Sequence, residues 1–425
     1  MIKYNYTNIV YLLIFTCLIG TQIISIDLKV VQIGPYRLLL MVSPLLLWKM
    51  YSKALFEKRI IIKSEYLLFF LFWVIYSLFT VLWSIDYSAW FQSMFFLISG
   101  FVSTLLIFSY LDTSEKIVQA IKLVVFQSMV IGVLAFYEMI TGNYFFINEV
   151  NIEFYQKNSI LVGLIGIYIP ITLFGNPNNY ALFVCVSIIF SILLLRLSVS
   201  RVSSFFYFIL ILFFVLILMA ANSRAAILSL IVFFIAHLLY NLSVVKLINK
   251  FRIIFYLFII ILLSNFFFGD LFKNLIDLNL IDFSDSSQEG DFIRKNLILN
   301  GLYFLYDSYF IGIGAGQVEK YMELYAVYSV LGITNMHNWW LEILTITGLL
   351  PFLFYIMVYI RAIIKSYRKS INVIDNKSKI INSVVFCFLI SFVVGSIGPS
   401  SLLQTEWIWI LIAIMLKGSK TSFKY

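Results

Sequence analysis

A chain of 425 residues that is 62% hydrophobic and only 12% charged cannot build a water-facing surface all round, because soluble domains carry about 25% charged residues. Continuous apolar runs, rather than alternating ones, exclude a membrane β-barrel as well. The net charge of +9 does not point to nucleic acid, because the basic residues cluster between apolar runs, where they meet anionic headgroups.

In chain order, the apolar runs predict about twelve membrane-spanning helices. They fall at 9–26, 35–48, 65–83, 89–110, 117–140, 179–195, 202–221, 225–241, 253–268, 338–360, 380–397 and 406–416. The first has no small-residue cleavage site and reads as a retained helix. The second is short. Cys17, Cys185 and Cys387 lie inside apolar runs and read as small buried side chains, not as a disulfide framework. The fold class that follows is an all-α polytopic membrane protein with a large outward-facing loop. Its parts are N-terminal helices over 1–268, the loop over 269–336 and C-terminal helices over 337–425.

Placing the N-terminus in the cytoplasm and alternating puts most of the 30 Lys and Arg inside and most of the 21 Asp and Glu outside. Both termini are therefore expected to be cytoplasmic. Two outer segments are long. The segment 141–178 ends in Phe174-Gly175-Asn176-Pro177-Asn178, and its apolar middle, 159–174, reads as re-entrant or interfacial. The segment 269–336 is the most polar. Amphipathic stretches at 271–280, 292–306 and 318–330 predict interfacial helices that roof the membrane domain.

Residues able to do chemistry lie on this outward face. Arg224, in Asn222-Ser223-Arg224-Ala225, opens a helix, either as a snorkelling anchor or as an anion ligand whose guanidinium grips phosphate in a fork. Arg294 is placed as a second phosphate ligand; Lys295 beside it also reads as part of a solvated helix face. Met336-His337-Asn338-Trp339-Trp340-Leu341-Glu342 brings an imidazole, an amide, two indoles and a carboxylate to the point where the loop re-enters the membrane. His337 can be a general base, or a donor to a phosphate or sugar oxygen. Asn338 can orient a sugar hydroxyl. Trp339 and Trp340 can stack on a sugar or sit in an interfacial belt. Glu342 lies about one helical turn after Asn338, so the two share a face. His237, inside an apolar run, reads as structural. Gly312-Ile313-Gly314-Ala315-Gly316 has no βαβ context and predicts a tight turn rather than a nucleotide cradle. Asp282, Asp285, Glu289 and Asp291 read as a solvated acidic loop, so neither metal nor cofactor is expected.

The order of these motifs resembles the O-antigen ligase and O-antigen polymerase superfamily of bacterial membrane glycosyltransferases. The series is Phe174 to Asn178, Ser223-Arg224-Ala225, Arg294, Gly312-Ile313-Gly314, His337-Asn338, Leu341-Glu342 and Thr347-Gly348-Leu349. Pro351 and Thr347 depart from the family's usual pattern. The resemblance implies a metal-independent glycosyltransferase of the GT-C type in the bacterial inner membrane, active on its periplasmic or extracellular face. It implies undecaprenyl-diphosphate-linked oligosaccharide as donor and acceptor, with chain-length regulator and flippase proteins as partners. Carried over by position, Arg224 and Arg294 would hold the diphosphate, and His337 would lie at the transfer centre. Within the family the reading favours a polymerase over a ligase or a protein oligosaccharyltransferase. A transporter or flippase is the alternative of a different class. It fits less well, because charges within the spans are few.

Overall fold

The structure, a computed structural model, describes residues 6–19, 23–27, 32–56, 64–146, 166–244 and 286–419. These form 14 α-helices. The first five are α1 (Tyr6–Ile19), α2 (Pro35–Phe56), α3 (Glu65–Phe79), α4 (Tyr87–Tyr110) and α5 (Ser114–Thr141). Next come α6 (Pro177–Leu197), α7 (Arg201–Ala220), α8 (Arg224–Val244), α9 (Ser286–Asp307) and α10 (Val318–Tyr325). The last are α11 (Trp339–Thr347), α12 (Leu349–Asn372), α13 (Asn376–Gly395) and α14 (Glu406–Gly418). Among the described residues, β-structure is confined to Ile26–Asp27 paired antiparallel with Gln32–Ile33.

The helix starts follow local chemistry. Asp86, Thr113, Ser200 and Asp375 accept backbone N–H groups at the starts of α4, α5, α7 and α13. Asn176 caps α6, where Pro177 supplies a fixed φ and no surplus donor. Among the described residues, eight helices are long and apolar enough to cross a membrane: α3 with its short 3₁₀ extension, α4 to α8, α12 and α13. The protein is a multi-pass membrane protein. α6 is almost wholly buried from Asn179 to Leu194, whereas α7 turns Phe205, Phe206, Phe208 and Leu216 outward, as a lipid-facing helix does. α8 packs on α13, α13 on α12, and α4 on α14.

Several expected spans take another form. The run 9–26 gives only the 14-residue α1. The run 35–48 gives α2, which runs on to Phe56 and takes in Arg37, Lys49 and Lys53. The run 338–360 is broken at Gly348 (φ 79°, ψ 178°), so α11 is a short helix and the span is α12. α14 has 13 residues, about 20 Å at 1.5 Å per residue, short of the ~30 Å apolar core. The connection from α13 to α14 therefore descends among the helices. The expected helix over 318–330 ends at Tyr325. The expected span 253–268, the stretch 271–280, and Asp282 and Asp285 lie outside the described residues.

The described part of 159–174 is irregular up to a 3₁₀ turn at Thr172–Phe174. Fully buried Glu138 of α5 satisfies it: one carboxylate oxygen accepts from the N–H groups of Ile171 and Thr172 at 2.8 and 2.9 Å. Non-helical backbone at membrane depth needs such a protein partner.

The two ends of the bundle differ. At one end lie the starts of α6, α8 and α14 with the ends of α5, α7 and α13. At the other, Lys417 donates to Phe108 O, Lys369 to Ser419 O, and Arg196 to Ser383 Oγ. His237 sits there too, 3.4 Å from Arg196, in the structural setting its sequence suggested. α9 and α10, from the long polar segment, rest on α11 at the first end.

Candidate functional site

The glycine loop frames the site. Ile313 and Gly314 donate their N–H groups to Thr345 O and Ile346 O at 2.9 and 3.1 Å, and Leu349 donates to Phe310 O at 2.9 Å. A Cβ on Gly312 (φ +94°) would stand 2.7 Å from the Thr347 carbonyl carbon, so only glycine allows this approach. The loop thus clamps the end of α11 and causes the break at Gly348. Buried Gln317 fixes it to α4. Its carboxamide accepts from Ile85 N and Asp86 N and donates to Asp86 O and Ala315 O, all at 2.9–3.1 Å.

The start of α11 is fixed by Asn338, whose side-chain oxygen accepts from Trp340 N (3.1 Å) and Leu341 N (3.2 Å). Its NH₂ group remains as a donor. His337, one residue earlier, has φ +49°, a region costly for a non-glycine residue. Its Nδ1 lies 3.4 Å from Gly398 O. A carbonyl only accepts, so the proton sits on Nδ1 and Nε2 keeps its lone pair. Burial holds the imidazole pKa below 6.5, and the nearby Arg294 charge lowers it further, while the Gly398 contact opposes both.

Gly398 also touches the other arginine's helix: a Cβ there would meet the Ala225 Cβ at 2.7 Å. Arg224 is therefore the first residue of a helix that packs on the same turn that holds His337. Arg224, Arg294 and Lys295 are exposed, and none has an ion-pair partner among the described residues. Ser223 Oγ donates to Asn178 Oδ1 at 2.8 Å, and Asn179 Oδ1 accepts from Ser400 N at 3.0 Å. The Asn-Pro-Asn turn, the start of α8 and the Gly398 turn are thus tied together.

Met336, the residue before His337, faces a different environment. A cavity of about 20 Å³ is lined by Ser93, Glu319, Asn335, Glu342, Ser401 and Gln404, among others. Glu342 is 9% exposed, and its carboxyl has no hydrogen-bond or ion-pair partner among the described residues. Burial pushes its pKa up to about 8, with the Glu319 charge adding to the rise, so it carries a proton at neutral pH. Glu342 N donates to Asn338 O at 2.9 Å, consistent with the one-turn spacing.

Trp339 is placed otherwise than its sequence suggested. It is 1% exposed, donates to Tyr355 OH at 2.9 Å and packs against Trp409 and Phe392. Its indole is core and offers no face to a sugar. Trp340 is half-buried and donates to Val393 O at 3.0 Å.

Residues 208–356 match the model of the family described as O-antigen ligase. The chain carries an O-antigen ligase family domain. That domain runs from α7 into α12 and takes in Arg224, Arg294, Lys295, His337, Asn338 and Glu342. The chain is also similar to the teichuronic acid biosynthesis protein TuaE of Bacillus subtilis (strain 168). The two are 27% identical over 420 residues, covering 96% of this chain and 83% of that protein.

The ligase-family domain ends before three pieces of the site begin: Gly398, Ser401 and Gln404. Sequence reasoning missed these, and Gln317 and Glu319 with them. The Gly398-Pro399-Ser400-Ser401 run signals a turn, but nothing in it signals that the turn holds a histidine. Gln317 carries no pattern at all.

Proposed function

We propose that this protein is a polymerase of lipid-linked oligosaccharide repeat units, a glycosyltransferase of the GT-C type that serves surface polysaccharide synthesis. The observation that carries the reading is the grouping at one end of the bundle. An imidazole with a free Nε2 and two exposed arginines, without ion-pair partners among the described residues, stand around the Gly398 turn. The O-antigen ligase domain supports sugar transfer from lipid-linked glycans. The similarity to a protein named for teichuronic acid biosynthesis favours a polymer product.

In this reading the donor is a glycan on undecaprenyl diphosphate, and the acceptor is a sugar hydroxyl of the next unit. The acceptor oxygen bonds to the anomeric carbon while the bond from that carbon to the diphosphate oxygen breaks. The electron pair leaves on the diphosphate, and the acceptor proton passes to His337 Nε2. Arg224 and Arg294, with Lys295 beside them, meet the charge that builds on the leaving oxygen. A donor aimed at such charge is worth about 2.7–4 kcal/mol. Asn338 NH₂ orients a hydroxyl near His337.

The test uses the purified full chain with undecaprenyl-diphosphate-linked repeat units. A ladder of longer lipid-linked glycans, unchanged by EDTA, is the expected result. Transfer of a preassembled glycan to a lipid A core sugar or to a protein, with no ladder, would make the chain a ligase or oligosaccharyltransferase instead. Movement of intact lipid-linked units across vesicles without any new bond would make it a flippase.

A further inference from the structure

The Glu342 cavity is not accounted for by the diphosphate chemistry. Its walls come from four separate parts of the chain: Ser93 on α4, Glu319 on α10, Asn335 and Glu342 beside and on α11, and Ser401 and Gln404 before α14. Glu342 is more than nine-tenths buried and lines this space without a partner for its carboxyl among the described residues. The Gln404 side chain likewise makes no hydrogen bond among the described residues. Ser401 Oγ donates to Asn335 Oδ1 at 3.0 Å, which leaves the Asn335 NH₂ free to donate into the cavity. Glu319 is exposed and stands at the mouth. A buried carboxyl with no partner is costly, so something the cavity ordinarily holds should complete it.

Chemistry limits the occupant. The Glu319 carboxylate at the mouth repels a diphosphate, and neither Arg224 nor Arg294 lines the cavity. Carboxyls, primary amides and hydroxyls together offer both donors and acceptors, the set that pairs with sugar hydroxyls. A cavity of about 20 Å³ has room for one water-sized group, hence for one hydroxyl of a ring lying at the mouth.

We propose that the Glu342 cavity is the acceptor subsite, in which Glu342, Gln404 and Asn335 hold a hydroxyl of the incoming sugar beside His337. This deepens the transferase reading and rests on it for the word acceptor; the sugar-binding pocket itself does not. Glu342 binds the sugar and takes no part in the bond exchange, and the proton still goes to His337. The arrangement separates the substrates by charge. The anionic lipid diphosphate is drawn to the arginines, and the uncharged sugar enters the carboxyl-lined side.

The experiment measures two affinities on the full chain in lipid nanodiscs. One probe is the repeat unit of the source's own surface polysaccharide on an octyl aglycone, which has no diphosphate and can act only as acceptor. The other is farnesyl diphosphate. Glu342→Leu, of similar volume but without polar atoms, should weaken octyl-glycoside binding roughly tenfold, the worth of one or two hydrogen bonds in a buried site. Farnesyl diphosphate binding should be unchanged. Glu342→Gln restores hydrogen-bonding groups and should bind the glycoside within a few-fold of the parent. Gln404→Leu, on a different element of the same cavity, should also weaken the glycoside selectively, which guards against one variant that fails to fold. Unchanged glycoside affinity in both leucine variants, or no saturable glycoside binding by the parent chain, overturns the subsite. If Glu342→Leu instead removes a magnesium requirement and spares the glycoside, the cavity holds a cation and the proposal falls. A parent chain that binds both probes yet forms no glycosidic bond overturns the transferase reading while the sugar pocket stands.

Discussion

Two groups of side chains near Met336-His337 handle charge in opposite ways. In one group Arg224 and Arg294 stay exposed and unpaired among the described residues; in the other Glu342 is buried, without a partner among those residues, and protonated at neutral pH. Guanidinium cannot shed its proton in a protein, so an unpaired arginine must remain near water until an anion arrives. A carboxyl can become neutral, so it can be buried where an arginine could not. The His337 imidazole is kept neutral by burial and by the Arg294 charge. The contrast teaches that which titration a side chain can undergo decides whether it can be buried or must stay near water.

The largest effect should come from removing the basic side. Arg224→Ala and Arg294→Ala should each lower transfer about 10²–10³-fold, the cost of losing one donor at a developing oxyanion, with membrane insertion and octyl-glycoside binding intact. Product formation from purified variants measures it. Near-normal ladders from both would remove the arginines from the diphosphate and erase the contrast.

A smaller effect tests the coupling between the arginine and the imidazole. Burial lowers the His337 pKa most; the Arg294 charge lowers it too, by less than the Gly398 contact raises it. The acid limb of the pH–rate profile should therefore lie below 6.5 in the parent chain and move upward in Arg294→Met. At pH 5.5 the variant should lose a larger share of its own neutral-pH activity than the parent does. An acid limb that stays in place would separate His337 from Arg294.

Much of this arrangement is legible in the sequence, and the reasons for the rest are physical. Spans such as Glu65–Trp83 and Pro177–Leu197 follow from apolar length alone. The break at Gly348 does not, because it is made by a loop more than thirty residues earlier, whose Phe310 O takes the Leu349 N–H. Adjacent indoles look alike in sequence, yet Trp339 is core and Trp340 half-buried, since helix phase against α12 to α14 decides between them. His337, Arg224 and Arg294 could be singled out because such side chains are scarce on an outward face. Glu319, Gln404 and Gly398 could not, because their meaning comes only from which distant residues they meet.

The acidic side makes its own mark on stability. The Glu342 carboxyl has a pKa of about 8 in the folded chain against an ordinary 4.5. A raised folded value means that the folded chain keeps a proton the unfolded chain releases. Stability from this group is full below about pH 4.5 and is lost as pH rises through about 8. Thermal unfolding in detergent should therefore show a steeper fall with pH over that window for the parent chain than for Glu342→Gln. Equal slopes would place the carboxyl in contact with water.

The smallest effect asks whether the two carboxyls share one space. Burial is the first cause of the high Glu342 pKa and the Glu319 charge only the second. Glu319→Gln removes that charge and leaves the burial. Glu342 should then titrate lower than in the parent chain but still well above 4.5, so the alkaline end of the stability loss moves down without disappearing. The exposed position of Glu319 keeps the shift small, because water screens its charge. The same substitution should leave the acid limb of His337 where it was, since Glu319 is absent from the influences on that imidazole. If Glu319→Gln moved the histidine limb and not the Glu342 one, the acidic and basic groups would be a single electrostatic compartment, and the proposed sorting of substrates by charge would have no basis.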